Sequence, residues 1–130
     1  MSEFYAESDM PLDRPLASAA LAQLVADPAL GRIWIIVSSG EAVGYVAVTL
    51  GFSLEFFGRD AFIDDLFIRP AFRSAGLGTR VLEAVESECL VLGIRALHLE
   101  VDRTNQIGQG LYRKRGFLAT ERQLLSKRLC

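Results

Sequence analysis

The segment Arg69–Thr79 reads RPAFRSAGLGT, and its residue types and spacing suggest anion chemistry. The run Ala61 to Ile68 just before it reads as a strand, closed by Arg69-Pro70. From Leu77, the apolar residues Leu77, Val81, Leu82, Val85, Cys89 and Leu92 recur at helical spacing until Gly93. A strand, a glycine-bearing loop and a helix start therefore follow one another directly. The free N–H groups of a helix N-terminus, with the helix dipole behind them, attract phosphate. Gly76 and Gly78 lack a Cβ, so an anion can approach the backbone closely, and Arg73 adds a positive charge. Two better-known glycine motifs fail here. Gly78 is followed by Thr79-Arg80 without the P-loop spacing, and Val81 stands where a dinucleotide fingerprint needs its third glycine. What remains is R-x-x-G-x-G, which fits either a phosphate cradle or a plain turn into a helix.

These residues need a scaffold. The first thirty residues read as a helix, with Asp13 as cap, Pro15 in the first turn, and Leu16, Ala19, Ala20 and Leu24 on one face. Ile33 to Val37 and Ala42 to Leu50 read as a hairpin turning at Ser38-Ser39-Gly40-Glu41. Gly51 to Asp60 is aromatic-rich and marks another turn before the strand that ends at Ile68. After the helix from Leu77, Leu97 to Val101 alternates as a strand and Gln106 to Arg115 reads as a weaker helix stopped by Gly116. A last strand is expected within Phe117 to Leu129. Hairpins followed by strand-helix-strand-helix-strand make an α/β or α+β sheet of mixed direction.

RSAGLG, Arg73 to Gly78, resembles the coenzyme A pyrophosphate loop of the GNAT superfamily of N-acetyltransferases. Ile63-Asp-Asp-Leu-Phe-Ile-Arg-Pro70 resembles the strand that leads into that loop. Downstream, Asn105 and Leu111-Tyr-Arg-Lys-Arg-Gly-Phe117 resemble the family's second signature. The resemblance covers residues 4 to 129. It implies a three-layer fold: a mixed, mostly antiparallel sheet with splayed central strands, flanked by helices. It also implies that the backbone of Arg73, Ser74, Ala75, Gly76, Leu77, Gly78 and Thr79 holds the pyrophosphate of acetyl-CoA, and that Leu66, Phe67 and Ile68 lie beside its pantetheine arm. Asn105 by analogy contacts the same molecule, and Arg113 and Arg115 are candidates for its distal phosphate. Tyr112 is the implied acid that protonates the departing thiolate.

For the base the resemblance offers two sources. Asp64 and Asp65 match an acidic pair in polyamine-type members, and in a strand only one of the two faces a given cleft. Glu100, with its spacing to Asn105 and Tyr112, matches the base of ribosomal-protein N-terminal acetyltransferases. Asp64, Asp65 and Glu100, with Glu55, favour a cationic amine acceptor, a small molecule or a peptide. His98 shares a strand face with Glu100 and reads as a structural hydrogen-bonder. Trp34, Phe52, Phe56 and Phe57 read as hairpin packing or as walls of an acceptor pocket. Gly108 and Gly110 should leave the second helix loose.

Length and composition set the outer bounds. The 130 residues should make one domain, 1–130, which the resemblance implies is an N-acetyltransferase domain, with 51% apolar and 23% charged residues, a globular balance. A net charge of −2 gives no surplus for nucleic-acid phosphates. No apolar run approaches a membrane span, and the acidic start lacks the features of a signal peptide. Two cysteines, Cys89 and Cys130, make neither a disulfide framework nor a metal site, so a cytoplasmic protein with no metal is expected; the resemblance implies an enzyme with acetyl-CoA as cosubstrate. The alternative is a non-catalytic acyl-CoA-binding or regulatory module on the same fold. Against the family pattern, which opens with a strand and most of a helix before the segment resembling Phe4 to Ser8, both are expected to be missing. The next strand should then present an edge covered by the N-terminal segment or a second copy, so a homodimer, or a start site placed too late, is expected.

Overall fold

The structure is a computed structural model and describes residues 14–73 and 76–130. Its contacts fall into two compact units, one reaching to Glu100 and one from Val101 to Cys130.

In the first unit, helix α1 (Arg14–Ala26) leads into strands β1 (Gly31–Ser38), β2 (Glu41–Ser53) and β3 (Gly58–Ile68). A 3₁₀ turn (Pro70–Phe72), helix α2 (Leu77–Val91) and strand β4 (Ala96–Leu99) complete it. The sheet order is β1-β2-β3-β4, antiparallel except for the parallel β3–β4 pair. The mixed, mostly antiparallel expectation holds, and each element in this unit lies within a few residues of its sequence-based bounds. Asp13, the expected cap, and the segment resembling Phe4 to Ser8 lie outside the described residues.

Local chemistry explains these elements. The β1–β2 turn has Ser39 and Gly40 both at positive φ (51° and 78°), the two-residue turn whose twist matches a hairpin. Gly44 is required where β2 meets β3, because a Cβ there would lie 2.1 Å from the Phe67 carbonyl oxygen. Helix α2 stops at Gly93 (φ 77°), with Ile94 N–H donating to the Cys89 carbonyl and Gly93 N–H to that of Leu90, a Schellman ending. The core joins the sheet to α2. Val46, Val48, Ala61 and Ile63 are buried with Val81, Leu82, Val85 and Cys89. Between α2 and the outer strands lies a groove of about 340 Å³, apolar apart from Arg80 and Glu88.

The second unit holds helix α3 (Gln106–Lys114). The strand expected within Phe117 to Leu129 is absent: no regular element follows α3. A strand persists only as part of a hydrogen-bonded ladder. This segment has none, and Leu118, Leu124, Leu125 and Leu129 are all exposed.

Candidate active site

Helix α2 begins without a side-chain cap, since Gly76 (φ 76°) holds the N-cap position. Its first i→i−4 bond runs from Arg80 N–H to the Gly76 carbonyl at 3.3 Å, so the amides of Leu77, Gly78 and Thr79 precede the helical ladder. No acidic residue occupies the first turn. Among the described residues a Cβ on Gly76 would meet nothing within 4 Å, so glycine is needed there for its left-handed φ rather than for space. These donors fit an anion. Arg73 joins the loop to the strand before it, with Nε donating to the Ile68 carbonyl at 2.7 Å and its guanidinium carbon 5.5 Å from the centre of the Phe67 ring. Ser74 and Ala75 lie outside the described residues.

Upstream of this loop the sheet forks. Strand β4 pairs with β3 only from Asp60↔Ala96 to Ile63↔Leu99, while β3 runs on to Ile68. Leu66, Phe67 and Ile68 therefore pair with β2 alone, and their other edge meets no described strand. That is the splay the sequence resemblance implies. A β-bulge sits just inside the fork. Ala47 pairs with Asp65 and Val48 with Ile63, so Asp64 is the extra residue on β3.

The bulge separates the two adjacent carboxylates. Asp64 is exposed and Asp65 is half-buried. Burial, followed by the charge of Asp64 beside it, pushes the Asp65 carboxyl up to about 6. Glu100 is exposed, one residue beyond the end of β4. Sequence reasoning did not anticipate the partner of His98: its Nε2 lies 3.1 Å from Asp60 Oδ2. No signal in the sequence pointed to it, since the pairing comes from the strand register, which sets His98 beside Phe62, two residues from Asp60.

In the second unit Asn105 caps α3, its Oδ1 accepting from the Gly108 amide at 2.9 Å. A Cβ on Gly108 would lie 2.6 Å from Asn105 Nδ2, so one of the two glycines expected to loosen this helix instead makes room for its cap. Tyr112 sits in the last turn, its ring 6.0 Å from that of Phe117 and edge-on to it. Burial pushes its phenol above the ordinary value of 10. Such a group stays protonated at neutral pH.

Residues 1–117 match the Acetyltransferase (GNAT) family. Among curated proteins, the thialysine N-epsilon-acetyltransferase of Mus musculus is 30% identical over 85 residues, covering 61% of this chain and 49% of that protein. The chain spans about half the length of the curated relatives it matches first. Among solved structures, an integron cassette protein from the mobile metagenome of Cole Harbour salt marsh superposes with a TM-score of 0.86 at 42% identity, over 100% of this chain and 80% of that one. A predicted acetyltransferase from Clostridium acetobutylicum, solved with acetyl-CoA, shares the fold with a TM-score of 0.79 at 19% identity, over 97% of this chain and 83% of that one. With the family match spanning residues 1–117 and the fork and anion cradle in the order its fold requires, the chain belongs to the GNAT acetyltransferase family.

Proposed function

We propose that this chain is an acetyl-CoA-dependent N-acetyltransferase that acetylates a primary amine by direct attack on the thioester. The observation that carries the reading is the series arrangement of an uncapped helix N-terminus and an unpaired strand edge. The cradle formed by the loop and the first turn of α2 binds a pyrophosphate, and the open edge of Leu66 to Ile68 offers backbone donors and acceptors to an extended amide-bearing arm. Acetyl-CoA supplies the activated acyl group; the remaining work falls to the chain. Asp65 is the proton acceptor the geometry favours over Asp64 and Glu100, because a half-buried carboxyl near 6 can take a proton and still be ionised at neutral pH. Tyr112, protonated at neutral pH, is the proposed donor to the departing sulfur. Asn105 spends its side-chain oxygen on the cap and keeps its amide group for any ligand contact.

The acceptor is a small-molecule or peptide amine, drawn by the carboxylates near the fork. A second copy is the proposed cover for the outer edge of β1, which pairs with no other described strand and leaves Ile35 and Val37 exposed. Sedimentation showing only monomer would end that part of the reading. Calorimetric titration with acetyl-CoA tests the core of it: saturable binding is expected, and its absence would overturn the function. Thiol release with a panel of amines then separates an enzyme from a binding module.

A further inference from the structure

The proposed chemistry leaves one built cluster unused. His98 Nε2 and Asp60 Oδ2 meet at 3.1 Å, with 27% and 15% of the two side chains exposed. The imidazole lies beside Phe62, ring centres 5.0 Å apart, and edge-on to Phe56 at 5.4 Å. Several features shape this cluster. Gly51, opposite Asp60, has no side chain, and a Cβ there would come within 2.9 Å of Asp60 Oδ1. Phe56 is fixed at the β2–β3 turn by Arg95 Nε donating to its carbonyl (3.1 Å) and by its own amide donating to Ser53 Oγ (3.2 Å). Its neighbour Phe57 is held at φ 65°, a conformation that bulky residues adopt only under constraint. Asp60 favours the tautomer with its proton on Nε2, which leaves Nδ1 as an acceptor. Among the described residues none bonds Nδ1.

Strand register sets this cluster next to the fork. Phe62↔His98 is one step before the last β3–β4 pair. Phe62 pairs with Thr49 and Asp65 with Ala47, two residues apart on β2, so both project from one face of the sheet. Two steps along the ladder, roughly 7 Å, and one strand across, roughly 5 Å, put the His98 and Asp65 backbones about 9 Å apart. An amine coming from this side meets an imidazole acceptor and two accessible rings, Phe62 39% and Phe56 42% exposed.

We propose that the Asp60–His98 pair, with Phe56 and Phe62, forms the acceptor subsite, and that it takes a primary amine carried on an apolar alkyl or aryl body. The inference rests on the acetyl-transfer reading above. The neutral amine donates an N–H to His98 Nδ1, while its carbon body lies against the rings. An amino sugar would trade hydration of its hydroxyls for contact with the rings, whereas an alkyl or aryl body gives up none by lying against them.

His98 is the sole histidine of the chain, so its ring reports without overlap. In ¹⁵N-histidine-labelled protein saturated with coenzyme A, the Nε2–H tautomer is expected, and n-hexylamine should shift the Nδ1 resonance saturably. Turnover should favour n-hexylamine over kanamycin. In His98→Ala the KM for n-hexylamine should rise at least tenfold, with the KM for acetyl-CoA unchanged within twofold; Phe62→Ala, at a position already part-exposed, provides a second variant with the same split. Protein that binds acetyl-CoA but whose His98 resonances ignore n-hexylamine overturns the subsite and leaves the cofactor reading standing. So does a preference for kanamycin, or an unchanged KM in both variants. Failure to bind acetyl-CoA in calorimetry overturns the underlying reading instead.

Discussion

Replacing Asp65 with Asn should make the protein more stable and less active, and the stability gain should depend on pH. The carboxyl rises from an ordinary 3.8 to about 6 because folding removes it from water and sets it beside Asp64. A raised folded-state value means that the folded chain binds the proton more tightly than the unfolded chain. Stability contributed by this group therefore falls as pH rises between about 4 and 6, and the full cost persists above that window. At about 1.4 kcal/mol per pH unit the rise corresponds to about 3 kcal/mol. Asp65 is only half-buried, and solvent screening cuts the usable part to about 1–1.5 kcal/mol. Asn keeps the shape and removes the charge. Urea melts at pH 8 should thus show Asp65→Asn more stable by about that amount, with the difference vanishing at pH 4. Thiol release by the wild type should rise with pH through an apparent value near 6, and the variant should lose that limb together with roughly 10²–10⁴-fold of its rate. An Asn variant that is no more stable at pH 8 than at pH 4 would refute the burial argument. One that keeps the pH limb would refute the role as base.

Three other substitutions probe the remaining parts. Tyr112→Phe should lower turnover about 10²-fold or more while the calorimetric affinity for acetyl-CoA stays within about twofold, since only the proton donor is lost. Gly76→Ala meets no steric obstacle but must hold φ near 76°, so it should cost about 1–2 kcal/mol in thermal melts and weaken acetyl-CoA binding as the cradle relaxes. Gly44→Ala forces a Cβ to within 2.1 Å of the Phe67 carbonyl oxygen, and its urea midpoint should fall by the equivalent of about 2 kcal/mol or more; a melt matching wild type would show that β2 and β3 are not so closely apposed.

Local chemistry made much of the fold legible. Turn residues at Ser39-Gly40, the glycine stop at Gly93 and the apolar period of α2 are each settled by neighbours in the chain, and each reads directly from residue types. The strand expected within Phe117 to Leu129 is absent because residue types alone cannot show whether a partner strand exists. The site divides along the same line. The loop's glycines announce an uncapped helix start, since the requirement for a left-handed N-cap is local. The pairing of Asp60 with His98, 38 residues apart, depends on parallel register across a helix crossover, and no local pattern encodes it. The difference between Asp64 and Asp65 arises from a one-residue bulge, which a strict period of two cannot express.

The L-Y-x-x-x-G-F signature shows how a chemical motif and a folding motif can be one string. In the structure Gly116, at φ 93°, is the residue that ends α3. Its amide donates to the Arg113 carbonyl, and the amide of Phe117 donates to that of Tyr112, the paired bonds of a Schellman ending. Such an ending brings the residue after the glycine against the one three positions inside the helix, and here those two are Phe117 and Tyr112, with rings edge-on at 6.0 Å. The spacing from tyrosine to glycine-phenylalanine is therefore what a helix needs in order to stop while clamping the ring of its last-turn tyrosine. Burial pushes the phenol further above its ordinary value of 10. The helix stop and the placement of Tyr112 share one cause: the glycine that terminates the helix delivers the phenylalanine that packs against the tyrosine.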